Sequence, residues 1–337
     1  MTDRGLPGRR AFLRGFGAIG TSALLGGRPR FADAEPPPET TKLRLLKEAG
    51  RLCWAPQYVA EDLLTAEGFT DVTYVDFPGG PVAEYLAAGR ADISLHFVGP
   101  NIIGVDQGRP VVFLAGVHVG CFEVMATERV RRITDLKGKT AGVSSLGGAE
   151  HIFFASIAAQ VGLNPQKDIR WAVNPPQESI RLLSEGKIDA LLGLPPTPQE
   201  LRARNIGHVL VNSAVDRPWS QYFCCLAISS REFVRKHPMA TKRALRAILK
   251  AADICALEPE RAARMLVDRK YTTRHDSALE VMKLPYDKWR QYNPEDTIRF
   301  YALRLHEAGM IKSIPQKILA QGTDWRFLNE LKKELKG

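Results

Sequence analysis

The chain has 337 residues, 45% of them hydrophobic and 25% charged, with a formal net charge of +10. This is globular composition, long enough for two domains of roughly 100–200 residues, and it excludes a disordered or collagen-like chain. The basic residues are interleaved with acids, as over 261–274, and no zinc-finger spacing accompanies them, which argues against nucleic-acid binding.

Residues 1–34 read as a cleavable export signal. Gly8-Arg9-Arg10-Ala11-Phe12-Leu13-Arg14 supplies a basic start, 15–25 a weakly apolar stretch, and Phe31-Ala32-Asp33-Ala34 an Ala-x-Ala end. The paired arginines and the Gly/Ala-rich stretch are similar to twin-arginine signals, which export folded proteins. Cleavage is expected after Ala34, leaving a stiff linker over 35–41 that contains Pro36-Pro37-Pro38. No cysteine follows the cleavage site, so a lipid anchor is not expected. No later apolar run approaches the roughly 18–20 residues of a membrane span. The expected location is the bacterial periplasm.

From residue 42, short apolar runs alternate with helix-like segments. Residues 43–46, 72–77, 91–95 and 111–117 read as strands, with helices over 57–67, 81–88 and 99–107 between them. The pattern repeats with strands over 139–143, 168–173, 188–192 and 208–211, and with helices running from Gly148 to before Gly162 and over 177–184. A strand follows over 222–229, and beyond Ser230 the chain reads as helical to its end. Strands separated by helices predict α/β units with mostly parallel sheets. The expected layout is lobe one over 42–126 plus 223–337 and lobe two over 127–222. A two-strand hinge near 121–127 and 222–229 would join them, and a helical C-terminal tail completes lobe one.

Cys53, Cys121, Cys224, Cys225 and Cys255 make an odd count without a Cys-x-x-Cys pair. That disfavours a zinc knuckle or a thioredoxin-type site. Adjacent Cys224 and Cys225 point to opposite sides if they lie on a strand. All five read as buried small hydrophobes, and no metal or cofactor is expected.

Four landmarks recur in order: Gly79-Gly80-Pro81 … Glu84-Tyr85-Leu86 … Gly89-Arg90-Ala91-Asp92; Asp135-Leu136-Lys137-Gly138-Lys139-Thr140-Ala141-Gly142-Val143; Glu185-Gly186-Lys187-Ile188-Asp189-Ala190; and Phe233 … His237-Pro238. Together they resemble the periplasmic binding proteins for nitrate, sulfonates, taurine and thiamine-pyrimidine precursors, over nearly all of 42–310. The resemblance implies a type II-like periplasmic binding protein fold with the ligand between two α/β lobes. It also implies a monomeric component of an ABC importer, with a small-molecule ligand and an inner-membrane permease as partners.

In open α/β sheets ligands lie beyond the carboxyl ends of strands, where helix N-termini offer unpaired N–H groups. This rule nominates Trp54 after the first strand, Phe77, Gly79 and Gly80 after the second, His96 and Phe97 after the third, and His118 after the fourth. In lobe two it nominates Ser144, Ser145, Gly147 and Gly148 as a clamp at a helix start. Glu150 falls in that helix's first turn, Leu194 follows the next strand, and Trp219 stands as a lid before the return strand. Arg51 is the main cation at these strand ends. The resemblance implies a small organic solute as ligand: a sulfonate, a nitrate-like anion, a pyrimidine or an aromatic acid; the scarcity of other cations at these strand ends cuts against a strongly anionic one. Neither a Gly-x-Ser-x-Gly elbow nor a His-Glu-x-x-His motif occurs, and no enzyme is expected. Two alternatives stay open. One is an enzyme similar to thiamine-pyrimidine synthases, whose longer cysteine cluster this chain lacks; the other is a solute-sensing binding protein.

Overall fold

The computed structural model describes Met1 and residues 35–48 and 50–335; the export signal expected over 1–34 lies outside them. Leu43 and Leu45 of β1 (Lys42–Lys47) turn into the interior while Arg44 stays exposed, the period-two pattern of a strand. The chain continues through α1 (Ala55–Val59), α2 (Glu61–Ala66), β2 (Asp71–Asp76), α3 (Val82–Ala87), β3 (Ile93–Phe97), α4 (Val98–Asp106) and β4 (Val111–Val119). It then crosses to β5 (Glu123–Ala126), β6 (Lys139–Val143), α5 (Ala149–Gln160), β7 (Ile169–Val173), α6 (Pro176–Ser184), β8 (Ala190–Gly193), α7 (Thr197–Ala203) and β9 (His208–Asn212). β10 (Phe223–Ser230) returns, and helices follow: α8 (Arg231–Lys236), α9 (Pro238–Leu257), α10 (Pro259–Asp268), α11 (His275–Val281), α12 (Pro294–Glu307), α13 (Pro315–Gly322) and α14 (Arg326–Glu334).

Among the described residues the strands form two five-stranded sheets with one topology, β2-β1-β3-β10-β4 and β7-β6-β8-β5-β9. The first three strands of each sheet run parallel, and the fourth is antiparallel to both neighbours. The sequence predicts mostly parallel sheets; both are mixed because each crossing strand inserts into the sheet it enters. β5, placed by the pattern at the crossing, belongs to the second sheet. The helix expected over 57–67 is two shorter ones, α1 and α2.

The Gly-Arg-Ala-Asp and Gly-Lys-Ile-Asp landmarks have the same structural job in each sheet. Asp92 accepts the Arg44 backbone N–H at 2.7 Å and the Arg44 guanidinium at 2.7 Å, and Arg44 also donates to the Gly89 carbonyl at 2.6 Å. In the second sheet Asp189 accepts the Thr140 N–H at 2.9 Å and Arg129 Nε at 2.6 Å, while Arg129 reaches the Gly186 carbonyl at 2.7 Å. Each aspartate fastens its strand's start to the neighbouring parallel strand by charge-assisted hydrogen bonds. The landmark at Phe233 is a helix start: Ser230 caps α8 by accepting from Phe233 N.

The core runs continuously from one sheet to the other. Phe97 packs on Phe122 at 5.0 Å and on Tyr301 at 5.2 Å, and Phe122 stacks on Phe153 at 4.6 Å. α5 is buried along most of its length because it is wedged between its own sheet and the helices α4 and α12. A smaller cluster (Met125, Ile180, Leu183, Ile188, Leu191 and Leu201) packs beneath α6 and α7.

Gly116 on β4 lies face to face with the buried Phe223 ring, which a β-carbon at 116 would penetrate. Gly116→Ala is expected to destabilise by about 1–3 kcal/mol through overpacking. A lowered urea midpoint, partly restored by adding Phe223→Leu, is the measurement that checks this.

Candidate functional site

A cleft of about 370 Å³ opens between the segment after β1 and the strand ends of the second sheet. Glu48, Gly50 and Arg51 form one wall. Ser144, Glu150, Asn174, Gln177 and the run from Leu191 to Thr197 form the other. The position obeys the rule that α/β sheets bind ligands beyond their strand ends.

Arg51 is the centre of its charge pattern. The guanidinium forks onto the Glu48 carboxylate, with Nη2 at 2.7 Å from Oε1, and lies 3.8 Å from Glu150 across the cleft. It also sits over the Trp54 ring at 5.6 Å, within cation–π range. Burial works against its charge, but Glu48 and Glu150 override burial and push its pKa up. Glu150 in turn accepts from Ser144 Oγ at 3.1 Å. Among the described lining residues Arg51 is the one cation, against Glu48, Glu150 and Glu200.

The sequence-nominated residues divide into four groups. Ser144, Glu150 and Leu194 line the cleft. Ser145, Gly147 and Gly148 complete the turn into α5 without lining it, and the Gly147 N–H donates to His151 Nδ1 at 3.0 Å. Gly79 and Gly80 form the turn after β2 with φ of 100° and 96°, a backbone that favours glycine, and they lie off the lining.

The aromatic and histidine candidates lie deeper. Trp54, Phe77 and His96 form a buried triangle with centroids 5.9–6.3 Å apart. Phe97 belongs to the aromatic core described above. His118 packs on Tyr286 at 5.3 Å, and Trp219 is buried 6.5 Å from Phe153 rather than standing over the cleft as a lid. His96 and His118 correct the expected placement. Both lie within strands, as Phe97 does at the end of β3, and not after them, because β3 and β4 are buried on both faces and extend past the apolar runs. His96 Nδ1 sits 3.0 Å from Asn101 Nδ2 and 3.1 Å from the Phe97 carbonyl. Burial, reinforced by Arg51, brings its pKa down to about 4, so it is neutral at neutral pH.

Glu48, Asn174, Gln177 and Glu200 line the cleft without having been nominated. Glu48 follows β1, and Asn174 and Gln177 follow β7, so the strand-end rule applied evenly to every strand reaches these three. Glu200 sits on α7, which the pattern does not reveal.

The sequence profile of the NMT1-like family matches residues 51–267. The 4-amino-5-hydroxymethyl-2-methylpyrimidine phosphate synthase THI5 of Saccharomyces cerevisiae is 25% identical over 210 residues, covering 58% of this chain and 60% of that protein. The chain thus spans less than two thirds of the curated relatives it matches. The periplasmic nitrate-binding protein NrtA from Synechocystis PCC 6803 superposes with a TM-score of 0.73 at 15% identity, covering 89% of this chain and 90% of that one. The alkanesulfonate-binding protein SsuA from Xanthomonas axonopodis pv. citri, bound to MOPS, gives a TM-score of 0.67 at 16% identity, covering 85% and 99%. The fold is that of a type II periplasmic binding protein, with two mixed α/β sheets. Among the described residues no helix is long and apolar enough to cross a membrane.

Proposed function

The chain belongs to the NMT1-like family, and from that premise we propose that it captures a small solute in this cleft for an ABC importer and catalyses no reaction. The solute is a neutral or protonatable nitrogen heterocycle of the pyrimidine class, in preference to a sulfonate or nitrate. The observation that carries this reading is the state of Arg51. Its fork is already occupied by Glu48 and opposed by Glu150, so little of it is left for an incoming anion. Glu150 also sits in the first turn of α5, at the positive end of the helix dipole where an anionic ligand would bind. The remaining carboxylates accept hydrogen bonds from ring and amino N–H groups. Ser144, Asn174 and Gln177 add polar partners, and Leu194 closes an apolar side.

In this reading the two lobes close on the hinge made by the crossing strands, and Arg51–Glu150 bridges the closed cleft. The monomer works in the periplasm, reached by the twin-arginine route, and the closed form docks on its permease.

A thermal-shift panel tests the reading. At 100 times its dissociation constant, 4-amino-5-hydroxymethyl-2-methylpyrimidine is expected to add about 2.7 kcal/mol of stability. An alkanesulfonate, nitrate and benzoate are expected to add nothing at the same concentration. Glu150→Gln is expected to weaken the pyrimidine at least tenfold, the loss of one charge-assisted hydrogen bond. A sulfonate shift that equals the pyrimidine shift would sink the ligand assignment. The likeness to the yeast synthase favours a second reading, in which the bound pyrimidine is made rather than captured. Turnover of substrate by the purified chain would replace the transport reading with that one.

A further inference from the structure

Below the cleft, three segments far apart in sequence bring their sulfurs to one point. Cys53 lies in the turn after β1, Cys121 in the link from β4 to β5, and Cys225 on β10. Their Sγ atoms all lie within 4.8 Å of one another, and all three side chains are buried. Cys224 adds a fourth sulfur, 2.8 Å from that of Cys121. Packing alone does not call for this. Cys255 shows what a cysteine used as a small hydrophobe looks like here: buried in α9 and outside the cluster. Beside the thiols, His118 pairs with Cys225 across the sheet. Among the described residues the buried His118 Nε2 and Tyr286 Oη have no hydrogen-bond partner.

We propose that Cys53, Cys121 and Cys225 form a three-sulfur site for one soft d10 cation, Cu(I). The donor set selects the class: thiolates without a carboxylate favour soft metals over Mg²⁺, Ca²⁺ or Mn²⁺. Coordination number selects the ion. Closed zinc sites take four ligands at about 2.3 Å, which spaces their sulfurs roughly 3.8 Å apart. Cys224 sits too close to Cys121 to be a separate fourth ligand of such a tetrahedron, and His118 lies outside the group of donor atoms that fall within 4.8 Å of one another. Three sulfurs around one monovalent ion need only a small inward movement. Each ligating thiol gives its proton to solvent as the metal binds, and the copper stays Cu(I), so no oxidant or reductant takes part. Because the three ligands come from the turn after β1 and from both crossing segments, the ion ties the two crossings together. The inference is independent of which solute fills the cleft.

The test is an anaerobic titration of the reduced full chain with Cu(I), in competition with bicinchoninate. One Cu(I) per chain is expected to be retained, with sulfur-only coordination in its X-ray absorption spectrum. Cys53→Ser and Cys121→Ser are each expected to lose at least tenfold in affinity, while Cys255→Ser keeps wild-type binding. Circular dichroism and melting of the apo forms identify a variant that fails to fold. If one of the two fails, the other carries the comparison, and Cys225→Ala is a third. Three results overturn the proposal: bicinchoninate strips the wild-type chain of copper, the folded cluster variants bind as tightly as wild type, or the spectrum shows nitrogen or oxygen ligands in place of sulfur.

Discussion

Arg51→Ala is expected to lower the unfolding free energy by about 3–5 kcal/mol, the range for breaking a buried ion pair from one side. The side chains of Arg51, Glu48 and Glu150 are 12%, 21% and 11% exposed, so all three charges are largely withdrawn from water. Removing the guanidinium leaves two carboxylates facing each other with no cation between them. It also removes the flat cation lying over Trp54. At roughly 2–4 °C per kcal/mol, the figure for chains of about 150–250 residues and so an upper bound for this longer one, the melting temperature should fall by at most about 6–20 °C. The triple variant Arg51→Met with Glu48→Gln and Glu150→Gln is expected to recover most of the loss, since it withdraws both stranded charges and roughly keeps the volume. Urea unfolding of the three proteins is the check. A single variant within 0.5 kcal/mol of wild type would mean that the carboxylates are solvated and that the arginine holds nothing together. Arg51→Lys separates charge from geometry: it keeps the positive charge but cannot fork onto Glu48.

The same residue marks how far the sequence could be read. Arg51 stands out as the cation after the first strand, but Glu48, which occupies it, is not visible as a partner from spacing alone. Glu150 is another case. It reads as one polar group in a candidate anion clamp, whereas in three dimensions it neutralises that helix start. Most strands were legible in their succession along the chain, because segments such as β1 and β2 alternate apolar and polar residues and are bounded by turn residues; their order within each sheet was not. β5 was not legible, since four residues at the first crossing give no periodicity to count. The burial of β3 and β4 on both faces erased the boundary that a polar alternation would have marked, which is why His96 and His118 were expected one step too late. The aspartates of the two Gly-x-x-Asp landmarks were visible as landmarks. That they fasten parallel strands follows only once Asp92 is seen on the Arg44 backbone and Asp189 on that of Thr140. Convergence of cysteines from residues 53, 121 and 225 is long-range geometry and leaves no local trace.

Stability is expected to fall by about 3 kcal/mol as the pH is lowered from 6.5 towards 4, and His96 is the cause. In the unfolded chain the imidazole protonates near 6.5; in the fold its pKa is brought down to about 4, first by burial and then by the charge of Arg51. Between those two values the unfolded state binds the proton and the native state does not, so unfolding takes up a proton and stability rises with pH. The contribution is complete above the unfolded value and is lost as the pH falls towards the folded one. Two and a half units at 1.36 kcal/mol each give the order of magnitude. Carboxylates add a loss of the same sign at lower pH. Against burial, Glu39 is held below its ordinary value by backbone hydrogen bonds and Asp106 by hydrogen bonds from the Ser313 side chain and from the backbone of Lys312 and Ser313, so their contributions to stability are lost only once the pH nears 4.5 and 3.8. The window from 5 to 6.5 therefore reports histidine. His151, also lowered by burial, titrates in the same direction there, so the comparison needs His96→Gln and His151→Gln separately. His96→Gln should flatten most of the slope in that window, and His151→Gln reads the part that belongs to the second histidine. If the slope survives His96→Gln intact, the imidazole is reached by water and protonates in place. The neutral, desolvated wall that it forms with Trp54 and Phe77 beneath the cleft would then have to be abandoned.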